Sequence, residues 1–255
     1  MEMTTYEHGV PSWVDLSTPD PARAAEFFST LFGWECPDGD PELGGYRNCS
    51  LKGKSVAGIT PAMDPNMAAS WNTYINVDDA DAISARVTDN GGQVIAPVMD
   101  VADLGRMAVF SDPIGSVFGI WQPGAHIGAE IVNEPGALVW NELMTTDTKA
   151  AAEFYTSVFG WTTSVNDPDG PMPYTMLEIG DRPIGGMMPK PPTVPAEVPP
   201  NWLVYFAVAN LDASLSQVES LGGSILAPAM DTEYGRFAVI ADPTGAAVSI
   251  IQMPS

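Results

Sequence analysis

The sequence predicts an α+β fold made of two homologous domains in tandem, each built from two βαβββ-like modules. Three observations carry this. First, Trp13–Trp34 (WVDLSTPDPARAAEFFSTLFGW) and Trp140–Trp161 (WNELMTTDTKAAAEFYTSVFGW) share eleven of 22 aligned residues. Second, the offset between the copies is nearly constant: 127 at Trp13/Trp140, 128 at Tyr46/Tyr174, 131 at Trp71/Trp202 and 130 at the turns Asp112-Pro113-Ile114-Gly115 and Asp242-Pro243-Thr244-Gly245. Insertions therefore fall in loops, and the chain is a repeat. Third, each copy passes from strand-like alternation to helical spacing and back, twice.

Element by element, residues 13–17 alternate, with Trp13, Asp15 and Ser17 on one face and Val14 and Leu16 on the other. Asp20 is placed to cap a helix whose apolar stripe is Ala24, Phe27, Phe28 and Leu31 and whose stop is Gly33. The second copy repeats this with Asp147, Ala151, Phe154, Tyr155, Val158 and Gly160. Strands follow at 46–51 and 55–60 around a Lys52-Gly53-Lys54 turn, then a strand at 71–77. A helix from Asp79 to Asn90 ends at Gly91-Gly92, and strands at 93–97, 105–111 and 116–122 close the domain. Pro189–Pro200 has six prolines in twelve residues and reads as an exposed extended loop. The boundaries are a first domain at 1–124, a linker at 125–137 and a second domain at 138–255.

Hydrophobic residues at 45% and charged residues at 16% describe a globular chain, and each half is large enough to bury a core of its own. No apolar run reaches the roughly 20 residues that span a bilayer. Ten basic against 32 acidic residues leave a net charge of −22, which disfavours nucleic acid and anionic lipid as partners. The expected partner is a small molecule. The expected location is the cytoplasm. Cys36 and Cys49 have no counterparts in the second half and read as free thiols in a reducing compartment.

The strand ending at Asp20, the helix with Phe27-Phe28 and Phe32-Gly33-Trp34, the closing Asp112-Pro113-Ile114-Gly115 and their second-half equivalents resemble the vicinal oxygen chelate superfamily of glyoxalase I, extradiol dioxygenases and bleomycin resistance proteins. The phrases Gly105-Arg106-Met107-Ala108-Val109 and Phe118-Gly119-Ile120-Trp121-Gln122-Pro123 are similar to those of tandem glyoxalase-like proteins of actinobacteria, one of them a culture-filtrate antigen. The resemblance implies sheets curled around one cavity per domain, with a metal inside it in the enzymes. By analogy with the antigen it also allows secretion without a signal peptide. It further implies pairing of the two halves as an internal pseudo-dimer, with a homodimer of the whole chain left open.

The positions where the resemblance implies metal ligands hold Trp13, Asn72, Gly119 and the neighbourhood of Gly58 in the first half. In the second half they hold Trp140, Leu203, Ser249 and the neighbourhood of Gly186. A divalent metal needs converging His, Glu or Asp ligands. The histidines, His8 and His126, are expected outside the cavities, so no metal and no cofactor is expected. What remains is a ligand-binding wall of Trp13, Asp15, Asn72, Tyr74 and Trp121 in one half and Trp140, Glu142 and Tyr205 in the other. Asp15 and Glu142 are also the candidate acids for any catalysis. Arg106 and Arg236 are candidate clamps for a ligand carboxylate, with ion pairs to Asp100 and Asp231 as the competing role. Trp34 and Trp161, at helix ends, read as structural. The reading is a metal-independent binding or sequestering protein, with a glyoxalase-like lyase or hydroxylase-type enzyme as the alternative.

Overall fold

A computed structural model of the chain describes residues 1–168, 170 and 173–254. The first half comprises β1 (Pro11–Thr18), α1 (Pro21–Phe32), β2 (Arg47–Leu51), β3 (Lys54–Pro61), β4 (Ser70–Asn76), α2 (Ala80–Asp89), β5 (Gln93–Val101), β6 (Gly105–Ser111) and β7 (Val117–Pro123). The second comprises β8 (Leu138–Thr145), α3 (Thr148–Phe159), β9 (Thr162–Asn166), β10 (Tyr174–Ile179), β11 (Arg182–Pro189), β12 (Asn201–Ala207), α4 (Leu211–Ser220), β13 (Ser224–Thr232), β14 (Gly235–Ala241) and β15 (Ala247–Gln252). Each half forms one mixed sheet, ordered β2-β3-β1-β4-β7-β6-β5 and β9-β10-β11-β8-β12-β15-β14-β13. At the centre of each, two first strands run antiparallel, β1 against β4 and β8 against β12.

The local signals act as their chemistry requires. The Asp20 and Asp147 side chains accept from the backbone N–H of Arg23 and Ala150, and Gly33 and Gly160 end the helices at φ 75°. That is a left-handed conformation open to glycine at little cost. The Asp112 and Asp242 carboxylates each accept two backbone N–H bonds and so fix the repeated turn. β5 runs four residues past the expected end at 97, because irregularities between Val94 and Met99 carry the strand past Pro97, which has no N–H to pair. The proline-rich 190–200 stretch contains no regular element, and Lys190 Nζ donates to the carbonyls of Pro195, Ala196 and Val198 to close it.

Two expectations are corrected. Where the second half has β9, the first, which has only the two strands expected of it there, has isolated bridges at Asp40–Tyr46 and, next to the helix end, Glu35–Ser50. The Glu35–Ser50 bridge sets Cys36 opposite Cys49 with Cα atoms 4.2 Å apart, and the two form a disulfide rather than free thiols. The cores also belong to neither half alone. One packs Val14, Leu16, Phe28 and Ile59 with Val204, Phe206, Val218 and Ile250. The other packs Ile75, Ile83, Phe110 and Phe118 with Leu143, Phe154, Tyr155 and Trp202. Each joins the first module of one half to the second module of the other, because the helix-covered faces of the two sheets meet. Helix pairs α1/α4 and α2/α3 line the seam. Phe206 lies 5.1 Å from Phe32 and 5.3 Å from Trp71, ring centroid to centroid. Trp34 Nε1 donates to Gly136 O and Trp161 Nε1 to Gly9 O, so each tryptophan ties its helix end to a distant segment. The opposite face of each sheet carries Trp13 and Asp15 or Trp140 and Glu142.

Candidate functional site

Trp13 and Asp15 follow one another on the free face of β1, and the register sets Asp15 between Asn72 of β4 and Gly58 of β3. Asn72 Nδ2 donates to Asp15 Oδ1 at 2.9 Å, and the Tyr74 hydroxyl stands beside the same carboxylate. Trp13 Nε1 donates to the Tyr46 hydroxyl at 2.8 Å. Burial pushes Asp15 up from the ordinary value of 3.8 to about 6, against the opposing pull of the hydrogen bonds from Asn72 and Tyr74. Burial and the neighbouring Asp15 charge push both tyrosine hydroxyls well above their usual range, so they remain donors.

The second half builds the same cluster from matching strands. Glu142 lies between Leu203 and Gly186, the Tyr205 hydroxyl donates to its Oε1 at 2.9 Å, and Trp140 Nε1 donates to the Tyr174 hydroxyl at 2.9 Å. Burial raises Glu142 as well, opposed by hydrogen bonds from Tyr205 and Tyr174. Leu203, Tyr205 and Ile251 form a third, small apolar cluster with half-buried Val139, Trp140, Met144 and Phe237 around it.

Glycine makes room for these tyrosines. A Cβ on Gly58 would stand 1.8 Å from the Tyr46 hydroxyl and one on Gly186 the same distance from that of Tyr174. A Cβ on Gly119 would stand 2.3 Å from the Tyr74 ring. Three positions at which the family resemblance implies a carboxylate ligand or its neighbour are therefore glycines, and tyrosine fills their space. At the fourth, Ser249 donates its hydroxyl to Ala238 O. Among the described residues, no three His, Cys, Asp or Glu side chains are grouped to hold a metal ion. The donor set at these positions does not fit one.

The structure thus brings Trp13, Asp15, Asn72, Tyr74 and Trp121 together, and Trp140, Glu142 and Tyr205 together. Arg106 and Arg236 are not among them. Register pairs Arg106 with Gln122 and Met107 with Trp121, so the arginine lies on the helix side of the sheet. There its guanidinium meets Asp81 at 2.8 Å and Asp100 at 3.2 Å, while Arg236 meets Asp212 at 2.8 Å and Asp231 at 3.9 Å. His126 also departs from expectation. The linker passes over this face of the first sheet, anchored by Ala129 N to Ser12 O, and sets the imidazole edge-on 4.5 Å from Trp13 and 5.6 Å from Trp121. Trp121 Nε1 donates to His126 O, and burial lowers the imidazole's pKa. His8 does lie apart, near Asp78. Sequence reasoning missed Tyr46 and Tyr174 as wall residues, although they match across the halves; the signal was their pairing with matched glycines one strand away.

Two surface clefts, of about 580 and 260 Å3, lie along the seam between α1 and the second half, away from both carboxylates. They are gaps in the packing of the halves.

The sequence profile of the Glyoxalase/Bleomycin resistance protein/Dioxygenase superfamily matches residues 11–120 and again 128–250. The chain belongs to this superfamily. It is 43% identical over 254 residues to CFP32 of Mycobacterium tuberculosis, provisionally named a glyoxylase, covering 97% of this chain and 96% of that protein. It is 39% identical over 272 residues to the anthracycline biosynthesis protein DnrV of Streptomyces peucetius, covering 98% and 96%. Among solved structures, the Mn(II)-bound glyoxalase of Novosphingobium aromaticivorans superposes with a TM-score of 0.67 at 15% identity, covering 96% of this chain and 83% of that one. The 2,3-dioxygenase LapB of Pseudomonas sp. KL28 gives 0.67 at 14% identity, covering 98% and 96%. At such identities these two show a shared fold.

Proposed function

We propose that the protein binds or sequesters a small molecule without a metal, one cavity per domain, as a member of the glyoxalase and bleomycin-resistance superfamily. One observation carries this reading. Where the family resemblance implies converging metal ligands, both halves carry a buried carboxylate ringed by tryptophan and tyrosine. A concave apolar wall with a few aimed polar groups suits a partly aromatic ligand. The relatives' names, glyoxylase and anthracycline biosynthesis, point to different chemistry, so neither selects the ligand. Elemental analysis of the purified protein together with a thermal-shift screen tests the reading. Stoichiometric Zn, Ni, Fe or Mn held at these positions, or no ligand from a broad screen, would defeat it. A ligand at 100 times its dissociation constant adds about 2.7 kcal/mol to stability.

A second reading, a glyoxalase-like lyase or hydroxylase-type enzyme with a different site, is favoured by one fact. Asp15, with a pKa near 6, is suited to general acid or base work near neutrality. Turnover of a candidate substrate that disappears in Asp15→Asn would establish it.

The shared cores support treating the halves as an internal pseudo-dimer, with a dimer of whole chains measurable by sedimentation. Among the described residues, no helix is long and apolar enough to cross a membrane. Of the two locations considered, secretion accords better with the Cys36–Cys49 bond than the cytoplasm does, since thiol reductants there keep cysteines reduced.

A further inference from the structure

The two carboxylate clusters share a plan but differ in what covers them and in what could balance their charge. In the first half the His126 imidazole lies across Trp13 and Trp121, and Trp13 is buried to 4% exposure. Asp15 also has the Asn72 amide as a polar neighbour. In the second half Trp140 is only partly buried, no aromatic ring pairs with it among the described residues, and Leu203 replaces the amide. Around Glu142 the polar groups are the hydroxyls of Tyr174 and Tyr205. The remaining surroundings are apolar: Leu203, Ile251, Met144 and Phe237.

No basic side chain answers that carboxylate. The second half has four: Lys149 reaches Glu153, Arg182 reaches Glu7, Lys190 is held by three loop carbonyls, and Arg236 is paired with Asp212. A buried carboxylate without a counter-ion is costly. A cation brought by a ligand would remove that cost. Indole and phenol faces attract the same cation through their quadrupoles, and more strongly when water is displaced. The net charge of −22 also favours a cation's approach over that of a neutral or anionic molecule.

We propose that the Glu142 cluster is the ligand site and that it takes an organic cation with a flat apolar body, its charged nitrogen at Glu142 and its body against the partly exposed Trp140. The Asp15 cluster, covered by His126, does not bind the same molecule. This inference rests on the binding reading above and narrows it to one half and one charge class.

The test is a pair of probes of nearly the same shape, N-methylacridinium and acridine, titrated by fluorescence against the full chain in weakly alkaline buffer, where acridine is uncharged. The expected result is that the cation binds at least about tenfold more tightly than acridine. Glu142→Gln should remove that preference without lowering the melting temperature and with the acridine affinity kept, and the preference should persist in Asp15→Asn. Glu142→Gln alters the net charge by one, so general attraction to an acidic surface survives it. Only a local contact is lost.

Equal binding of the two probes, an unaltered preference in Glu142→Gln, or a loss that follows Asp15→Asn instead would each overturn the inference and leave the binding reading standing. If neither probe binds but a screen of uncharged compounds yields a ligand, the inference falls alone. If nothing binds at all, both fall. Should Glu142→Gln fail to fold, Trp140→Leu serves: it should weaken both probes, and unchanged binding would overturn the placement.

Discussion

Asp15→Asn should make the protein more stable at neutral pH and leave it nearly unchanged in acid. The Asp15 carboxyl is pushed from the ordinary 3.8 to about 6 by burial. Its folded-state value lies above its unfolded one, so between about pH 4 and pH 6 the folded protein holds a proton that the unfolded chain has released. Stability therefore falls as the pH rises across that window and levels off above it. At about 1.4 kcal/mol per pH unit, the loss comes to ~3 kcal/mol as an upper figure. The amide removes the charge and keeps the shape. Its oxygen can accept from Asn72 Nδ2, and its NH2 can donate to the Tyr74 hydroxyl, so the hydrogen bonds can be rebuilt. Urea unfolding of both proteins at several pH values from about 4 to 8 reads the effect directly. The wild-type curve should fall relative to the variant through the middle of that range, with a final gap of about 1–3 kcal/mol. Parallel curves, or a variant less stable than wild type at neutral pH, would refute the reasoning and assign Asp15 to ordinary structural hydrogen bonding. An acid retained at a cost to stability is the pattern expected of a group kept for function.

Further outcomes can be checked independently. Phe206→Ala, which removes a fully buried ring lying between Phe32, Trp34 and Trp71 of the other half, should cost about 3–5 kcal/mol, and both halves should still unfold in one transition by fluorescence and circular dichroism. Two separate transitions would mean that the halves hold cores of their own. The double variant Cys36→Ser/Cys49→Ser should lower stability by about 2–3 kcal/mol, since the bond closes a 13-residue separation; wild type in a strong reductant should match it, and the variant should not respond to reductant. Gly58→Ala should displace the Tyr46 hydroxyl, because the added Cβ would fall 1.8 Å from it, and so deprive Trp13 Nε1 of its acceptor. A change in tryptophan fluorescence and a loss of about 1–3 kcal/mol are expected, and an unchanged spectrum would refute the packing.

The repeat made most of the fold legible. Two copies of Asp20/Asp147, Gly33/Gly160 and the Asp-Pro turns fix helix starts, helix stops and strand returns locally, and local signals can be read in order along a chain. What was not legible depended on which surfaces meet. Phe32 and Phe206 belong to different halves, and no spacing within either stripe reveals that they touch. Cys36 and Cys49 oppose one another only because the Glu35–Ser50 bridge replaces a strand that the second half retains. His126 looked like linker because nothing in its neighbourhood of sequence announces a turn back over Trp13.

The site itself was half legible, for a related reason. Alternation along residues 13–17 and 140–144 was enough to place Asp15 and Glu142 beside their tryptophans on the free face. The tyrosines that complete each cluster arrive from neighbouring strands, and only the pairing of Tyr46 with Gly58 and of Tyr174 with Gly186 marks them. In each pair a large polar ring occupies the space of a missing Cβ. Such a pair is visible in a sequence only as a matched glycine and a matched tyrosine. The two halves arrived at the same filling with different acids, Asp in one and Glu in the other, and with different fourth neighbours, Asn72 and Leu203. What both retain is the carboxylate between aromatic hydroxyls. The neighbours that would set its charge and its access have diverged. A structural requirement of the sheet alone would not keep an acid at 5% and 7% exposure in both copies, since an apolar residue there would be cheaper to bury.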